Sequence, residues 1–237
     1  VSDQVATKGC AVVTGAGRGI GRAVALALGR RGVSVALLAR TRSELDEVAR
    51  AFAATSSRGA LAHVTPCDVG DGLAVAAAAR EVLGTFGPPL VVINNAGIIR
   101  RARAEETTEE DWDAVLRVNL KGTFLVTRAF LPAMLERGRG RIVNVASISA
   151  TVGTARQTAY NAAKWGVVGF TKSLAEELRG TGLQALAVLP GAVDTAMLEG
   201  SGFAPQMSAE VVAESLVFAA MDAPDAMNGS ALEIFGP

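Results

Sequence analysis

The apolar run Cys10 to Thr14, the turn Gly15-Ala16-Gly17-Arg18-Gly19-Ile20-Gly21 and the helical stretch Ala23 to Leu28 follow one another without a break, and that succession limits the folds open to this chain. Glycines allow positive φ and let a ligand approach the backbone closely, while the free N–H groups at a helix start favour an anion such as pyrophosphate. The common G-x-G-x-x-G pattern fails, because Ile20 and Arg22 occupy its last glycine position in the two registers. What fits is T-G-x-x-x-G-x-G, whose place between strand and helix points to phosphate binding.

The alternation continues to the end. Strand-like runs at Val33 to Leu38, Leu61 to Thr65, Leu90 to Ile93, Arg141 to Ala146, Leu183 to Leu189 and Ala231 to Phe235 are separated by helical stretches. The helices are expected over Ser43 to Ala54, over an Ala-rich stretch ending near Phe86, over a long segment with Trp112, Val115, Leu116, Asn119 and Leu120, from Tyr160 to about Leu178, and from Ser208 to Met221. Thr107 with Glu110 reads as a capping box opening the long segment, and the residues up to about Gln206 read as a mobile loop. Strands alternating with helices predict an α/β protein, a Rossmann-type doubly wound parallel sheet of about seven strands flanked by helices. No linker or internal repeat divides the 237 residues, so 1–237 reads as one domain.

Twenty-three basic and 23 acidic residues cancel, which argues against a nucleic-acid footprint or a polybasic membrane contact. The arginines at 100, 101 and 103 precede a run of glutamates and read as solvated surface. Cys10 and Cys67 lie in no C-x-x-C motif and sit in apolar settings, so both read as small buried hydrophobes. With His63 alone and no metal-ligand cluster, metal or His-base chemistry has little to work with. Val1 to Gly9 has no apolar signal core and no run is long enough to span a bilayer, so a cytoplasmic protein is expected.

Chemistry gathers at Tyr160-Asn161-Ala162-Ala163-Lys164. Residues four apart share a helix face, so a phenol and an ammonium stand together. A free phenol has a pKa of about 10, and a neighbouring cation favours its ionised form, which would make Tyr160 a proton donor and acceptor. Ser147 comes at the carboxyl end of a strand, where open α/β sheets bind their ligands. Asn119, lying among apolar positions, reads either as a satisfied core amide or as part of a relay. No Asp or Glu occurs between Gly32 and Ser43, and Arg40 follows the second strand, where an arginine suits a 2′-phosphate; Arg18 and Arg42 are helpers. NADP(H) is therefore preferred, with NAD(H) the alternative. Asp68 reads equally as an adenine contact or as a helix N-cap near Gly70.

Thr14-Gly15-x-x-x-Gly19-x-Gly21, Asn94-Asn95-Ala96-Gly97, Asn119, Ser147, Tyr160-x-x-x-Lys164 and Pro190-Gly191, in this order, resemble the short-chain dehydrogenase/reductase family over nearly the whole chain. The resemblance extends to its ketoacyl and carbonyl reductases. It implies that Tyr160 is the general acid or base, Ser147 holds the substrate oxygen, Lys164 binds the nicotinamide ribose and lowers the Tyr160 pKa, and Asn119 positions a water. It further implies a coenzyme site made of Gly15, Arg18, Gly19, Ile20, Gly21, Arg40, Asp68, Val69, Asn95, Ala96, Gly97, Tyr160, Lys164, Pro190, Gly191, Val193 and Thr195, with Val193 and Thr195 at the carboxamide. A small carbonyl or alcohol substrate and a homotetramer or homodimer are also implied. The expected reaction is NADP(H)-dependent reduction of a ketone or its reverse. The alternatives are an NAD-dependent alcohol or sugar dehydrogenase and a non-catalytic NADP-binding redox sensor.

Overall fold

The computed structural model describes residues 9–57 and 59–236. Residues 1–8, on which the expectation about a signal segment rests, lie outside the described residues. Seven strands form one parallel sheet: β1 (Ala11–Thr14), β2 (Val35–Ala39), β3 (Ala62–Pro66), β4 (Val91–Asn94), β5 (Gly140–Val145), β6 (Leu183–Pro190) and β7 (Ala231–Ile234), in the order β3-β2-β1-β4-β5-β6-β7. The helices are α1 (Gly19–Arg30), α2 (Arg42–Thr55), α3 (Gly72–Phe86), α4 (Glu109–Leu116), α5 (Gly122–Arg137), α6 (Thr158–Glu177) and α7 (Ala209–Val217). The doubly wound α/β architecture expected from the alternation is present.

Side chains alternate across each strand, so both faces of the sheet carry apolar residues. Ala11, Val13, Leu37, Ile93 and Val143 face a core closed by α1, α2 and α7. Val12, Ala36, Leu38, Val92 and Ile142 face the opposite core, closed by α3, α5 and α6. Cys10 and Cys67 are buried free thiols, and burial pushes both up to about pKa 11. Among the described residues no helix is long and apolar enough to cross a membrane.

The chain winds outward in both directions from β1 and β4, which are neighbours in the sheet although β2 and β3 separate them in sequence. Such a reversal opens a crevice at the carboxyl ends of the strands. Beneath it, Asn94 and Asn144 stand opposite each other in the β4–β5 register. Asn94 Nδ2 donates to Thr127 Oγ1 at 3.0 Å and to Asn144 Oδ1 at 2.8 Å, and Asn144 Nδ2 donates to Thr171 Oγ1 at 2.9 Å. This buried polar chain ties α5, β4, β5 and α6 together.

The expected long helix is present and carries one wide π turn at Arg117–Lys121, between α4 and α5; its start is corrected. Its cap is Thr108, whose hydroxyl accepts from the Asp111 N–H at 3.1 Å, and not Thr107. Thr107 ends the preceding 3-10 turn, with its hydroxyl donating to Arg103 O at 2.9 Å, so the helix starts one residue later.

Candidate active site

The glycine turn lies at the carboxyl end of β1, against the β4 end. Gly15 has φ of +64°, and a Cβ there would come within 2.9 Å of Ala96 Cα. Asn95 braces the turn: its Nδ2 donates to Thr14 O at 3.0 Å, while Thr14 Oγ1 accepts the N–H groups of Asn95 at 2.9 Å and Ala96 at 3.0 Å. Asn95 and Ala96 therefore shape the cradle. Helix α1 starts at Gly19 with Arg18 at its cap, no side chain caps its first amides, and no acidic residue lies in its first turn. By contrast, Asp71, Thr108 and Ser208 cap α3, α4 and α7. Open amides, close backbone approach and a first turn without acidic residues fit a dinucleotide pyrophosphate.

Across the crevice, β6 ends at Pro190 and Gly191 donates its N–H to Ile234 O at 2.8 Å. Buried Val193 bridges to Met207, and Thr195 approaches Gly19, where an added Cβ would meet Thr195 Cγ2 at 3.3 Å. Half-buried Ile20 enters α1. Val69 is buried and in contact range of Gly122, behind the crevice wall.

Helix α6 buries Tyr160, Ala163, Lys164, Val167, Thr171 and Leu174, spaced three or four apart. That stripe turns the phenol and the ammonium inward beside β5. Tyr160 is 7% exposed and Lys164 4% exposed. Lys164 Nζ donates to Val145 O at 2.8 Å and stands 5.5 Å from the centre of the Tyr160 ring. Burial pulls its pKa from 10.5 down to about 8. Ser147, just beyond β5, accepts the Ser149 N–H at 3.1 Å.

Burial raises the Tyr160 pKa, and the Ser147 hydroxyl and the Arg101 guanidinium only partly offset it. The Lys164 ammonium is turned to a backbone carbonyl, and burial disfavours its own charge. Tyr160 Oη lies 3.9 Å from Met197 Sδ.

Asn119 sits in the π turn and is 1% exposed. Its Nδ2 donates to Ile98 O and Val115 O, both at 2.8 Å, while its buried Oδ1 has no partner among the described residues. A Cβ at Gly97 would meet that Oδ1 at 2.6 Å and Lys164 Nζ at 3.8 Å. The orphan acceptor thus faces the space beside the ammonium, a π turn being a common device for redirecting a functional side chain.

Asp68 is not the cap of α3; Asp71 is, accepting from Leu73 N at 2.8 Å and Ala74 N at 3.3 Å. The Asp68 carboxylate instead accepts the Gly70 N–H at 2.9 Å and Arg117 at 3.0 Å. Partial burial works to raise its pKa, but the Gly70 N–H, Arg117 and Arg40 together hold it below the usual value. Arg40, exposed just past β2, makes no ion pair among the described residues. Arg18 is engaged with Glu44 at 3.8 Å, and Arg42 with Asp46 at 3.8 Å. Glu44 also packs against Gly17, where a Cβ would lie 2.9 Å from its Oε2. The acid-free stretch from Gly32 to Ser43 ends one residue before this carboxylate, which the fold brings beside the glycine turn.

A model of the family described as short chain dehydrogenase matches residues 9–204. The chain belongs to the short-chain dehydrogenase/reductase family. It is 39% identical to a D-threitol dehydrogenase of Mycolicibacterium smegmatis over 241 aligned positions, covering 95% of this chain and 91% of that protein. It is 41% identical over 196 positions to a human (3R)-3-hydroxyacyl-CoA dehydrogenase, covering 80% of this chain and 75% of that one. A solved levodione reductase superposes with a TM-score of 0.90 at 30% identity, covering 96% of each chain. As a short-chain dehydrogenase/reductase, the protein is an NAD(P)-dependent oxidoreductase acting on CH–OH and C=O groups.

Proposed function

We propose that this enzyme interconverts a ketone and a secondary alcohol with NADP(H), and that Tyr160 transfers the proton. The observation that carries the reading is the buried Tyr160 phenol with the buried Lys164 ammonium 5.5 Å from its ring centre, beside the end of β5 that Ser147 follows. The coenzyme supplies or accepts the hydride. In the reducing direction Ser147 donates a hydrogen bond to the carbonyl oxygen, and Tyr160 Oη passes its proton to that oxygen. Lys164 is placed to hold the ribose and, once so engaged, to favour the phenolate that results. The unpartnered Asn119 Oδ1 accepts from a water that refills the proton through Lys164. Gly15, Gly19 and Gly21 with the first amides of α1 take the pyrophosphate, Asp68 and Val69 flank the adenine side, and Val193 with Thr195 takes the carboxamide.

The NADP preference rests on Arg40, a free guanidinium where the 2′-phosphate of the adenosine would lie. A second reading, NAD-linked oxidation of an alcohol or sugar, is favoured by Glu44, whose carboxylate stands at Gly17 and occupies Arg18. The D-threitol relative adds weight to a polyol as substrate in that reading. The redox-sensor alternative is disfavoured because Ser147, Tyr160 and Lys164 are all present. A cytoplasmic enzyme that self-associates as a dimer or tetramer completes the proposal, the two unpaired thiols being consistent with a reducing compartment.

Parallel fluorescence titrations with NADPH and NADH test the coenzyme assignment. Tighter binding of NADPH supports Arg40. Tighter binding of NADH transfers the assignment to the Glu44 reading, and binding of neither removes the glycine turn from the coenzyme site.

A further inference from the structure

The three arginines after β4 read alike in the sequence, yet they have different fates. Arg100 pairs with Asp111 at 3.1 Å and Arg103 with Glu105 at 2.5 Å. Half-buried Arg101 turns the other way, into the 192–206 segment, donating through Nη1 to Glu199 O at 3.1 Å and through Nη2 to Met197 O at 2.7 Å. Both partners are neutral carbonyls, and among the described residues Arg101 is in no ion pair. Its Nε is buried and, among the described residues, has no hydrogen-bond partner. The residue it grips, Met197, lies with its sulfur 3.9 Å from the phenol oxygen of Tyr160.

A guanidinium beside the reacting centre is thus left with an uncompensated charge and a free buried donor. Burying charge without a counter-charge is unfavourable, so proteins seldom keep such a group unless something pairs with it. Planar guanidinium donors match a carboxylate better than any neutral oxygen. The charge also favours the phenolate of Tyr160. Nothing in the glycine turn, the Ser147 strand end or α6 needs Arg101 for coenzyme binding.

We infer that Arg101 is a specificity-determining residue that pairs with a carboxylate carried by the substrate close to its reacting carbon. The favoured substrates are then hydroxy acids and their oxo acid partners. This rests on the reading above that Tyr160 is the reacting centre, and it narrows the substrate class of that same site. A substrate carboxylate entering here takes the place of the Met197 and Glu199 carbonyls on the guanidinium, with the 192–206 segment giving way.

The test is a kinetic panel of oxo acids, each matched with its methyl ester, together with two uncharged controls, a linear polyol and a cyclic dione, run with the coenzyme that binds. The wild-type enzyme should prefer each acid over its ester by about ten- to a hundredfold in kcat/KM, the range expected for a hydrogen bond to a charged group. Arg101→Gln should remove that preference, acting mainly through the KM of the acid, and Arg101→Lys should keep part of it. Coenzyme titration and circular dichroism of both variants establish that they are folded. Equal turnover of acid and ester by the wild type, or equal losses on both in Arg101→Gln, would overturn the inference and reduce Arg101 to a tie between two loops. Turnover of the uncharged controls alone would also overturn it while leaving hydride transfer at Tyr160 intact. Silence on the whole panel, controls included, counts against the parent reading as well.

Discussion

Lys164 is held at a measurable energetic disadvantage, and pH exposes it. Its pKa falls from 10.5 to about 8 on folding because burial penalises the ammonium. Below pH 8 both folded and unfolded chains carry the proton, so the penalty is fully present. Between pH 8 and 10.5 the folded chain has released the proton while the unfolded chain keeps it, so stability rises with pH across that window. Raising the pH from 7 to 9.5 should relieve about 2 kcal/mol through this group. For a chain of this size that corresponds to roughly 4–8 °C in melting temperature. Cys10 and Cys67, raised from 9.0 to about 11, work in the opposite sense above pH 9, because the unfolded thiols ionise first. The assay is therefore a comparison: chemical or thermal unfolding of the protein and of Lys164→Met at a series of pH values from 7 to 9.5. The cysteine contributions cancel in the difference, and the wild type should gain about 2 kcal/mol on the variant. Parallel stability curves would refute the claim that the Lys164 charge is desolvated.

Asn144→Ala should lower stability by about 2–4 kcal/mol in denaturant titrations, because it opens a small cavity and strands buried partners on Asn94 and Thr171. A loss below about 0.5 kcal/mol, the size typical of surface changes, would show that the polar chain contributes nothing. Arg40→Asp should weaken NADPH binding by at least about tenfold more than NADH binding, as expected when one charge-assisted contact becomes repulsive. Equal effects in the two titrations would remove Arg40 from the 2′-phosphate.

The order of strands and helices was legible because apolar runs, glycine turns and helical spacing are local signals. So was the shared helix face of Tyr160 and Lys164, which follows from their four-residue spacing, while the burial of that face came from packing against β5. What escaped depended on distant partners. Asn94 and Asn144 each end or nearly end an apolar strand, and only the β4–β5 register shows that they face each other. The π turn at Arg117–Lys121 escaped because Trp112, Val115, Leu116 and Leu120 fit ordinary helical spacing across it, yet it decides where Asn119 points. Asp68 and Asp71 are interchangeable in pattern, and Arg117, forty-nine residues away from Asp68, separates their roles. Arg101 looked like its neighbours until the 192–206 segment folded back onto it.

The central claim, that Tyr160 passes the proton, is tested most directly by Tyr160→Phe, which keeps the ring and removes the hydroxyl. With a substrate from the panel above and the coenzyme that binds, kcat should fall by about a hundredfold to ten-thousandfold, the usual contribution of a positioned general acid, while the coenzyme titration still saturates. A variant that binds coenzyme and turns over at close to the wild-type rate would contradict the account.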